Sequence, residues 1–158
     1  MTPRFLSILQ LALLVFLGLT LIPAGAHLFE MPGKMALAPA DYMIVQRIYM
    51  GWAWFGIAIF GALILLGIHA AIVRRDRTAL WFSLAAFAAI AVTQIIFWSF
   101  TFPMNTLTQN WTVNPPDIEV ARRQWEYSHA VNALITFAAF VLTALAILKS
   151  HHAPQPLR

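Results

Sequence analysis

Two short motifs pair a histidine with a glutamate three residues away, and such pairs can do acid–base or metal chemistry. "HLFE" carries His27 and Glu30, and "EYSH" carries Glu126 and His129. This spacing puts both members of a pair on one side of a helix. A histidine beside a carboxylate can accept or release a proton near neutral pH, and the same side chains can bind a metal ion.

Other polar side chains fall at the same ends of neighbouring apolar segments, so we expect them to converge with these motifs. We predict that His129 acts as a general base and that Glu126 orients it. Asn105 and Tyr49 are predicted to donate hydrogen bonds to an oxyanion such as an enolate or phenolate. The predicted ligand-binding residues are His27, Gln46, Trp98, Trp125 and Asn132.

A simpler interpretation of "RRQWE" is structural. Glu119 and Arg123 form one i, i+4 pair of opposite charge, and Arg122 and Glu126 form another. Such pairs on a helix surface contribute about 0.2–0.5 kcal/mol each. The chemical and the structural interpretation can both hold.

The fourth apolar segment also carries a polar stripe. At about 100° per residue, one helix face collects Arg122, Trp125, His129, Asn132, Thr136 and Thr143. Polar groups that face lipid are costly, so this face should point toward other helices or a wet cavity. For Thr136 and Thr143 we favour packing between helices, whereas packing and chemistry stay open for His129 and Asn132.

We predict no cofactor, with one main alternative: a metal ion bound by His27, His129 and Glu126. A di-iron centre needs further inward carboxylates, which the sequence does not offer. A haem held between His27 and His129 is a weaker alternative. The chain has no cysteine, which excludes iron–sulfur clusters and cysteine-ligated zinc.

The composition indicates which elements must position these residues. Of the 158 residues, 61% are hydrophobic and 10% are charged, and the mean hydropathy is +0.74. These values lie outside the range of soluble domains. Four apolar stretches reach the roughly 20 residues that a helix needs to cross a bilayer; they lie at about 5–26, 48–73, 79–102 and 130–148. We therefore predict an all-α protein that forms a single four-helix bundle in the membrane.

The positions of Lys and Arg predict the orientation of this bundle. One side holds Arg4, the turn at 74–77, Lys149 and Arg158, which are nearly all basic, and the other side has mixed charge. Both termini are therefore expected in the cytoplasm, with long outer loops. The net charge of +4 forms no basic stripe, so we expect no nucleic acid partner. We expect a multi-pass protein of a cell membrane, with the bacterial inner membrane as its location.

Three loop motifs predict where helices turn, stop and start. "MPGK" at 31–34 predicts a Pro-Gly turn, and Pro103 in "FPMN" should stop the third helix. In "NPPD", Asn114 is a predicted N-cap for a fourth helix that begins near Pro115 and ends near Lys149. That helix would be about 50 Å long, so "RRQWEYSH" would be its interfacial portion.

The two ends of the predicted bundle differ in composition. Five of the six tryptophans and all three tyrosines fall in the outer half, which suggests an aromatic-walled cavity or a tightly packed cap. The inner half offers little beyond Gln10, His69 and Ser83, so we predict plain packing there.

Small residues and the N-terminal segment carry further expectations. Gly51, Gly56 and Gly61 permit close contact between helices, but their spacing predicts no particular dimer. Arg4, the apolar run after it and "AGA" at 24–26 resemble a signal peptide. Because that run is longer than the usual hydrophobic region of such peptides, we expect this span to be retained.

Several of these motifs together resemble one family. The residues that carry the resemblance are His27, "QRIY" at 46–49, "FPMN" at 102–105 and "RRQWEYSHAVNA" at 122–133. They are similar to the anthrone-oxygenase-like family of small four-helix membrane proteins, long catalogued as a domain of unknown function. The resemblance covers most of the chain.

The resemblance implies a cofactor-independent oxygenase that turns an anthrone into an anthraquinone. It implies roles for Asn105, Trp125 and His129, and also for His27, Gln46 and Tyr49. Asn132 stands where we expect an arginine, and this departure removes a fixed cation that could hold an oxyanion.

Two functional hypotheses follow. The first is an enzyme that acts on a membrane-soluble aromatic or quinone-like compound. The second is a non-catalytic membrane protein, an accessory subunit or homo-oligomer whose polar stripe packs helices or docks a membrane partner. A transporter is a weaker alternative, because no span combines a mid-membrane charge with a helix break.

Overall fold

The computed structural model describes residues 3–150, and these residues fold almost entirely into helices. The α-helices are α1 (Pro3–Met35), α2 (Pro39–Val45), α3 (Gly56–Ile72), α4 (Arg77–Ile96), α5 (Phe102–Leu107) and α6 (Ile118–Ser150). Two 3-10 turns, Gln46–Tyr49 and Trp52–Phe55, precede α3, and a π-turn, Phe97–Thr101, joins α4 to α5. Four helical segments are long and apolar enough to cross a membrane, which confirms the predicted fold class at that level.

The four long helices form a closed ring around a small apolar core. α1 packs against α3 and α6, and α4 packs against the same two helices. Leu13, Leu17, Leu66 and Ile90 are fully buried between them. We call the end where α1 begins and α6 ends the terminal end. The opposite end, which carries α2, α5, the 3-10 turns and residues 108–117, is called the cap end.

α1 continues through the predicted Pro-Gly turn, so that prediction is wrong. Pro23 and Pro32 both lie inside the helix, although each removes one backbone hydrogen bond. Tertiary contacts hold the end of the helix in place: the Nη1 of Arg122 donates to the carbonyl of Leu37, just beyond α1, at 2.9 Å. Sequence-local turn signals cannot reveal such a contact.

The third span continues past Pro103, again contrary to the prediction. The backbone N–H of Phe102 donates to the carbonyl of Phe97, five residues back, which defines the π-turn. A widened turn of this kind accommodates a following residue that has no N–H. The carbonyl of Phe100, within the turn, accepts a hydrogen bond from the Nε2 of Gln124 at 3.0 Å.

The second span is shorter than predicted because Gly51 interrupts it. Gly51 has a φ of 89°, a left-handed conformation that favours glycine, and it separates the two 3-10 turns. The regular helix therefore begins at Gly56 rather than near residue 48.

The start of α6 also differs from the prediction. The Oδ1 of Asp117 accepts a hydrogen bond from the backbone N–H of Val120 at 3.0 Å, so Asp117 rather than Asn114 caps the helix. The helix begins at Ile118, three residues later than predicted, and ends at Ser150.

Of the three glycines proposed to permit close helix contact, Gly61 does so. A Cβ at Gly61 would lie 2.2 Å from the Cε1 of Phe16, so α1 and α3 approach closely only because residue 61 has no side chain. Gly56 faces open space instead.

Candidate functional site

A buried ion pair occupies the cap end. The Nζ of Lys34, in the last turns of α1, lies 2.9 Å from the Oε1 of Glu126 in α6, and their exposed fractions are 4% and 0%. The hydroxyl of Tyr42 donates to the same oxygen at 2.9 Å, and the Nε2 of Gln46 approaches it at 3.4 Å. Tyr42 and Gln46 lie one turn apart, so α2 and the turn after it lie across the bundle end with both side chains facing inward. Removing two charges from water is costly, and these contacts offset part of that cost.

The pairing within "RRQWE" differs from the prediction. Glu126 pairs with Lys34 rather than with Arg122, and it makes no described contact that would orient His129. Arg122 pairs instead with Glu119, with 2.7 Å between Nη2 and Oε2. The predicted i, i+4 pairs are wrong because Glu126 lies on the buried face of α6 and the side chain of Arg123 is exposed.

Five rings form a cluster beside the ion pair. His27 and His129 have ring centroids 4.0 Å apart, and the indole of Trp125 lies 4.9 Å from the first and 4.2 Å from the second. Tyr49 and Trp52 complete it, at 4.4 Å and 5.4 Å from His27. We call these five residues the histidine cluster. The sequence predicted four of them as site residues, and Trp52 was noted only as part of the aromatic surplus.

Lys34 connects the ion pair to the histidine cluster. Its Nζ lies 4.7 Å from the ring centroid of Tyr49 and 4.8 Å from that of Trp125, which are cation–π distances. Lys34 was not predicted as a site residue, because the motif "MPGK" is typical of a loop. Read as helix, His27, Glu30 and Lys34 share one face at i, i+3 and i+7, and this spacing was the available signal.

Two buried phenols supply hydrogen-bond donors at this end. Burial, together with the charge of Glu126, raises the pKa of Tyr42. Burial and a hydrogen bond to Glu30 raise the pKa of Tyr49, whose hydroxyl donates to the Oε2 of that carboxylate. Both phenols are therefore neutral at physiological pH, and Tyr49 keeps the donor character that the sequence predicted.

Asn105 holds two tryptophans in place. Its Oδ1 accepts from the Nε1 of Trp125 at 2.8 Å and from the Nε1 of Trp111 at 3.3 Å. The predicted role was that of a donor to an oxyanion, whereas these contacts use the acceptor end of the amide. Asn105 thus positions one wall of the histidine cluster.

A left-handed turn brings Trp111 to this position. Gln109, Asn110 and Trp111 have φ values of 49°, 56° and 65°, which is unfavourable for residues with a Cβ. Trp111 is 3% exposed and packs edge-on against the ring of Tyr42 at 5.3 Å. Burial of the Trp111 indole offsets the strain of these three backbone conformations. The spacing of residues in the sequence does not predict the left-handed turn.

Asn132 and Trp98 lie apart from the ring cluster. The Nδ2 of Asn132 donates to the carbonyl of Thr93 at 3.2 Å, so this side chain joins α6 to α4. Trp98 is 55% exposed, and its ring contacts are with Phe97 and Phe102. The structure places Trp98 on the outer surface of the bundle, away from the other predicted ligand-binding residues.

The geometry does not support the metal alternative. Among residues 3–150, no group of three or more histidine, aspartate or glutamate side chains is arranged to hold a metal ion. The ring planes of His27 and His129 make an angle of 33° with each other. The Oε1 of Glu126 already contacts the ammonium of Lys34 and accepts a hydrogen bond from Tyr42.

Buried polar atoms that lack a hydrogen-bond partner lie in the cap half of the bundle. Besides the ammonium of Lys34, whose contact is the ion pair, the described residues contain five such atoms: His27 Nδ1, Gln46 Oε1, Arg122 Nε, Glu126 Oε2 and Asn132 Oδ1. Native interiors rarely leave such atoms unpaired, because each costs about 1–3 kcal/mol. A water or ligand at the cap end would give them partners.

The terminal end has a polar network of a different kind. His69 is fully buried, with its Nδ1 2.9 Å from the Oγ of Ser83 and its Nε2 3.3 Å from the Nε2 of Gln10. Gln10 also donates to the Oγ of Ser150 at 2.9 Å. Because Ser83 donates to the carbonyl of Ala79, His69 must donate from Nδ1 and accept at Nε2.

This network joins α1, α3, α4 and α6, and it corrects the prediction of plain packing at this end. The ring nitrogens of His69 both have partners, in contrast to the Nδ1 of His27. The terminal end therefore has the properties of a structural lock, whereas the cap end keeps buried polar atoms without hydrogen-bond partners.

Comparison of the chain with protein-family models finds no match, and comparisons with curated proteins and with solved structures find none either. The resemblance to the anthrone-oxygenase-like family therefore stays a prediction.

Proposed function

We propose that the cap end is an acid–base site that acts on a membrane-soluble aromatic or quinone-like compound. The observation that carries this proposal is the set of buried, unpartnered polar atoms in the cap half of the bundle, which includes the Nδ1 of His27 in the histidine cluster. The rings of Trp52, Trp125 and Tyr49 pack around His27, and aromatic side chains with a few convergent polar groups are typical of ligand sites.

The proposed chemistry assigns a role to each group. His129 or His27 takes a proton from a ring carbon that is conjugated with a carbonyl, such as the methylene opposite the carbonyl of an anthrone, and the ammonium of Lys34 stabilises the resulting oxyanion. The phenol of Tyr49 can contribute once its O–H turns from Glu30 to the oxyanion. If the reaction is the oxygenation that the family resemblance implies, the carbanion adds O₂ and loss of water leaves the quinone. Lys34, which is paired with Glu126, then takes the place of the cation that Asn132 does not supply.

Oxygen uptake with anthrone as substrate tests the proposal. Wild-type protein in nanodiscs should consume one O₂ for each quinone formed, and His129→Ala should lose most of this activity. His69→Ala is the matched control, because it removes a buried histidine from the opposite end. Equal turnover in wild type and His129→Ala, with both proteins folded, would refute the assigned base.

The proposed location is a cell membrane, with the bacterial inner membrane as the specific expectation. The basic residues at the terminal end, Arg4, Arg74, Arg75 and Lys149, support a cytoplasmic position for both termini. The cap end would then face the outer side. Fusing a reporter that is active on one side only to either terminus tests this orientation.

A second candidate function is a non-catalytic bundle that docks a membrane partner or a second copy. Hydrogen bonds between helical segments favour this function. The Oγ1 of Thr101 and the Oγ of Ser128 lie 2.7 Å apart, and the Nδ2 of Asn132 donates to the carbonyl of Thr93 in α4. Under this hypothesis, replacing His129 and Asn132 by leucine lowers thermal stability or releases a partner, and no turnover is found with any aromatic substrate.

A further inference from the structure

A groove runs along the side of the cap end. It has a volume of about 420 Å³ and lies between the last turns of α1 and the end of α2. Glu30 and Lys34 supply its polar part, and Leu37, Val45 and Ile48 supply apolar walls. The groove is shallow and open, so it covers only part of a small molecule.

A bilayer crossed by α1 would place the groove at the level of the membrane interface. Lys34 follows Arg4 by 30 residues of helix, a rise of about 45 Å, which matches the thickness of a bilayer with its headgroups. Ile48 and Phe29 line the groove and are 58% and 84% exposed. An amphiphile could therefore enter sideways from the bilayer without crossing water.

Lys34 links the groove to the buried site. Its side chain is 4% exposed, lines the groove, and meets Glu126 on the bundle side through one ion pair. An ammonium has three N–H donors, and the Nζ of Lys34 has no hydrogen bond beyond this ion pair and its ring contacts. The Nζ atom is itself buried, so Glu30 is the charged side chain that a ligand in the groove meets.

The charges around the groove determine what kind of head group fits. Glu126 already neutralises Lys34, and Glu30 adds a carboxylate whose Oε2 accepts from Tyr49. The immediate surroundings therefore carry a net negative charge. A neutral hydroxyl can donate to the carboxylate of Glu30, whereas a carboxylate or sulfonate meets repulsion.

We propose that this groove is the side entrance for the ligand and that it selects neutral hydroxylated amphiphiles over anionic ones. The proposal rests on the proposed function, because Lys34, which lines the groove, contacts the rings of Tyr49 and Trp125 in the histidine cluster. Gly33 forms part of the groove lining, and the space around its Cβ position is open. A leucine at position 33 should therefore fill the groove without disturbing α1.

The test measures binding of naphthol and of naphthoate to the protein in nanodiscs by equilibrium dialysis, with empty nanodiscs to subtract partitioning. Wild type should bind naphthol at least ten-fold more tightly than naphthoate. Gly33→Leu should lose at least ten-fold in naphthol affinity. Gly18→Leu is the matched control, because Gly18 lies on the same helix, also faces open space, and does not line the groove.

Charge selection has its own variant. Glu30→Gln keeps a hydrogen-bonding group beside Tyr49 and removes the negative charge. The ratio of naphthol affinity to naphthoate affinity should therefore fall several-fold. An unchanged preference would overturn the charge argument.

The outcomes separate this proposal from the proposed function. If Gly33→Leu binds naphthol as wild type does while His129→Ala still loses turnover with anthrone, the groove is not the entrance and the site stands. If Gly33→Leu loses binding while His129→Ala keeps full turnover, the groove stands and the assigned base is refuted. If wild type binds neither probe above empty nanodiscs, the entrance proposal is overturned.

Discussion

The ammonium of Lys34 and the carboxylate of Glu126, 92 positions apart in sequence, meet at 2.9 Å in the interior of the cap end. Lys34 belongs to a stretch that looks like a turn in sequence, and Glu126 to one that looks like an exposed helix surface. Their contact closes α1 against α6, and Tyr42 and Gln46 attach α2 to the same carboxylate. Glu126, in the first turns of α6, therefore makes its polar contacts inside the bundle.

Removing one partner of this ion pair should be strongly destabilising. Lys34→Met or Glu126→Leu leaves a buried charge without its counter-ion, which typically costs about 3–5 kcal/mol. The double variant should lose less than the sum of the two single losses. Chemical unfolding in detergent micelles gives the three values, and Lys149→Met, which changes an exposed lysine, serves as the control. Strictly additive losses would contradict the direct contact.

Stability should fall in alkaline solution because of the buried phenols. The pKa of Tyr42 is raised by burial and by Glu126. Above about pH 10, the unfolded chain releases a phenol proton that the folded protein retains, so the free energy of unfolding falls as the pH rises. Below that pH the contribution is fully present and constant.

Tyr42→Phe tests this pH dependence. The variant should be less stable at neutral pH by about 1–2 kcal/mol, because the hydrogen bond to Glu126 is lost. Its stability should also decline less steeply above about pH 10. Unfolding curves measured from neutral to strongly alkaline pH show both effects, and identical slopes in the two proteins would rule out a contribution from Tyr42.

Loss of the acceptor at Asn105 should loosen the aromatic wall of the site. Asn105→Leu leaves the indole N–H groups of Trp125 and Trp111 without their partner, at a cost of about 1–3 kcal/mol. Near-ultraviolet circular dichroism should weaken as the two rings gain freedom. Asn105→Asp keeps an acceptor oxygen and should retain the spectrum. Equal spectra in all three proteins would mean that Asn105 does not position the rings.

Composition and hydropathy predicted the helical class and the number of candidate spans, because lipid-exposed helices need long apolar stretches. The helix ends were harder to predict, since Pro32 and Pro103 are strong local stop signals that tertiary contacts and a π-turn override. The histidine cluster was largely predictable, because inward-facing residues at the same end of adjacent spans lie in one layer.

The remaining parts of the site depend on features that sequence-local reasoning does not detect. Trp111 reaches its buried position through three residues in the left-handed conformation, and no sequence motif predicts this conformation. Lys34 was not predicted, because its motif indicated a turn where the structure has a helix. At the terminal end, Gln10, His69 and Ser83 were recognised individually, but their joint network depends on the rotation of four helices about their axes, which hydropathy leaves undetermined.

Breaking the network at the terminal end should weaken the bundle without affecting the cap end. Gln10→Leu removes the donor to the Nε2 of His69 and to the Oγ of Ser150, and buried groups left without partners cost about 1–3 kcal/mol each. Thermal unfolding should therefore shift to lower temperature, while naphthol affinity, measured well below that temperature, stays at the wild-type value. A loss of naphthol binding in folded Gln10→Leu would show that the two ends are coupled through the helices, and the network could then no longer be regarded as a structural lock alone.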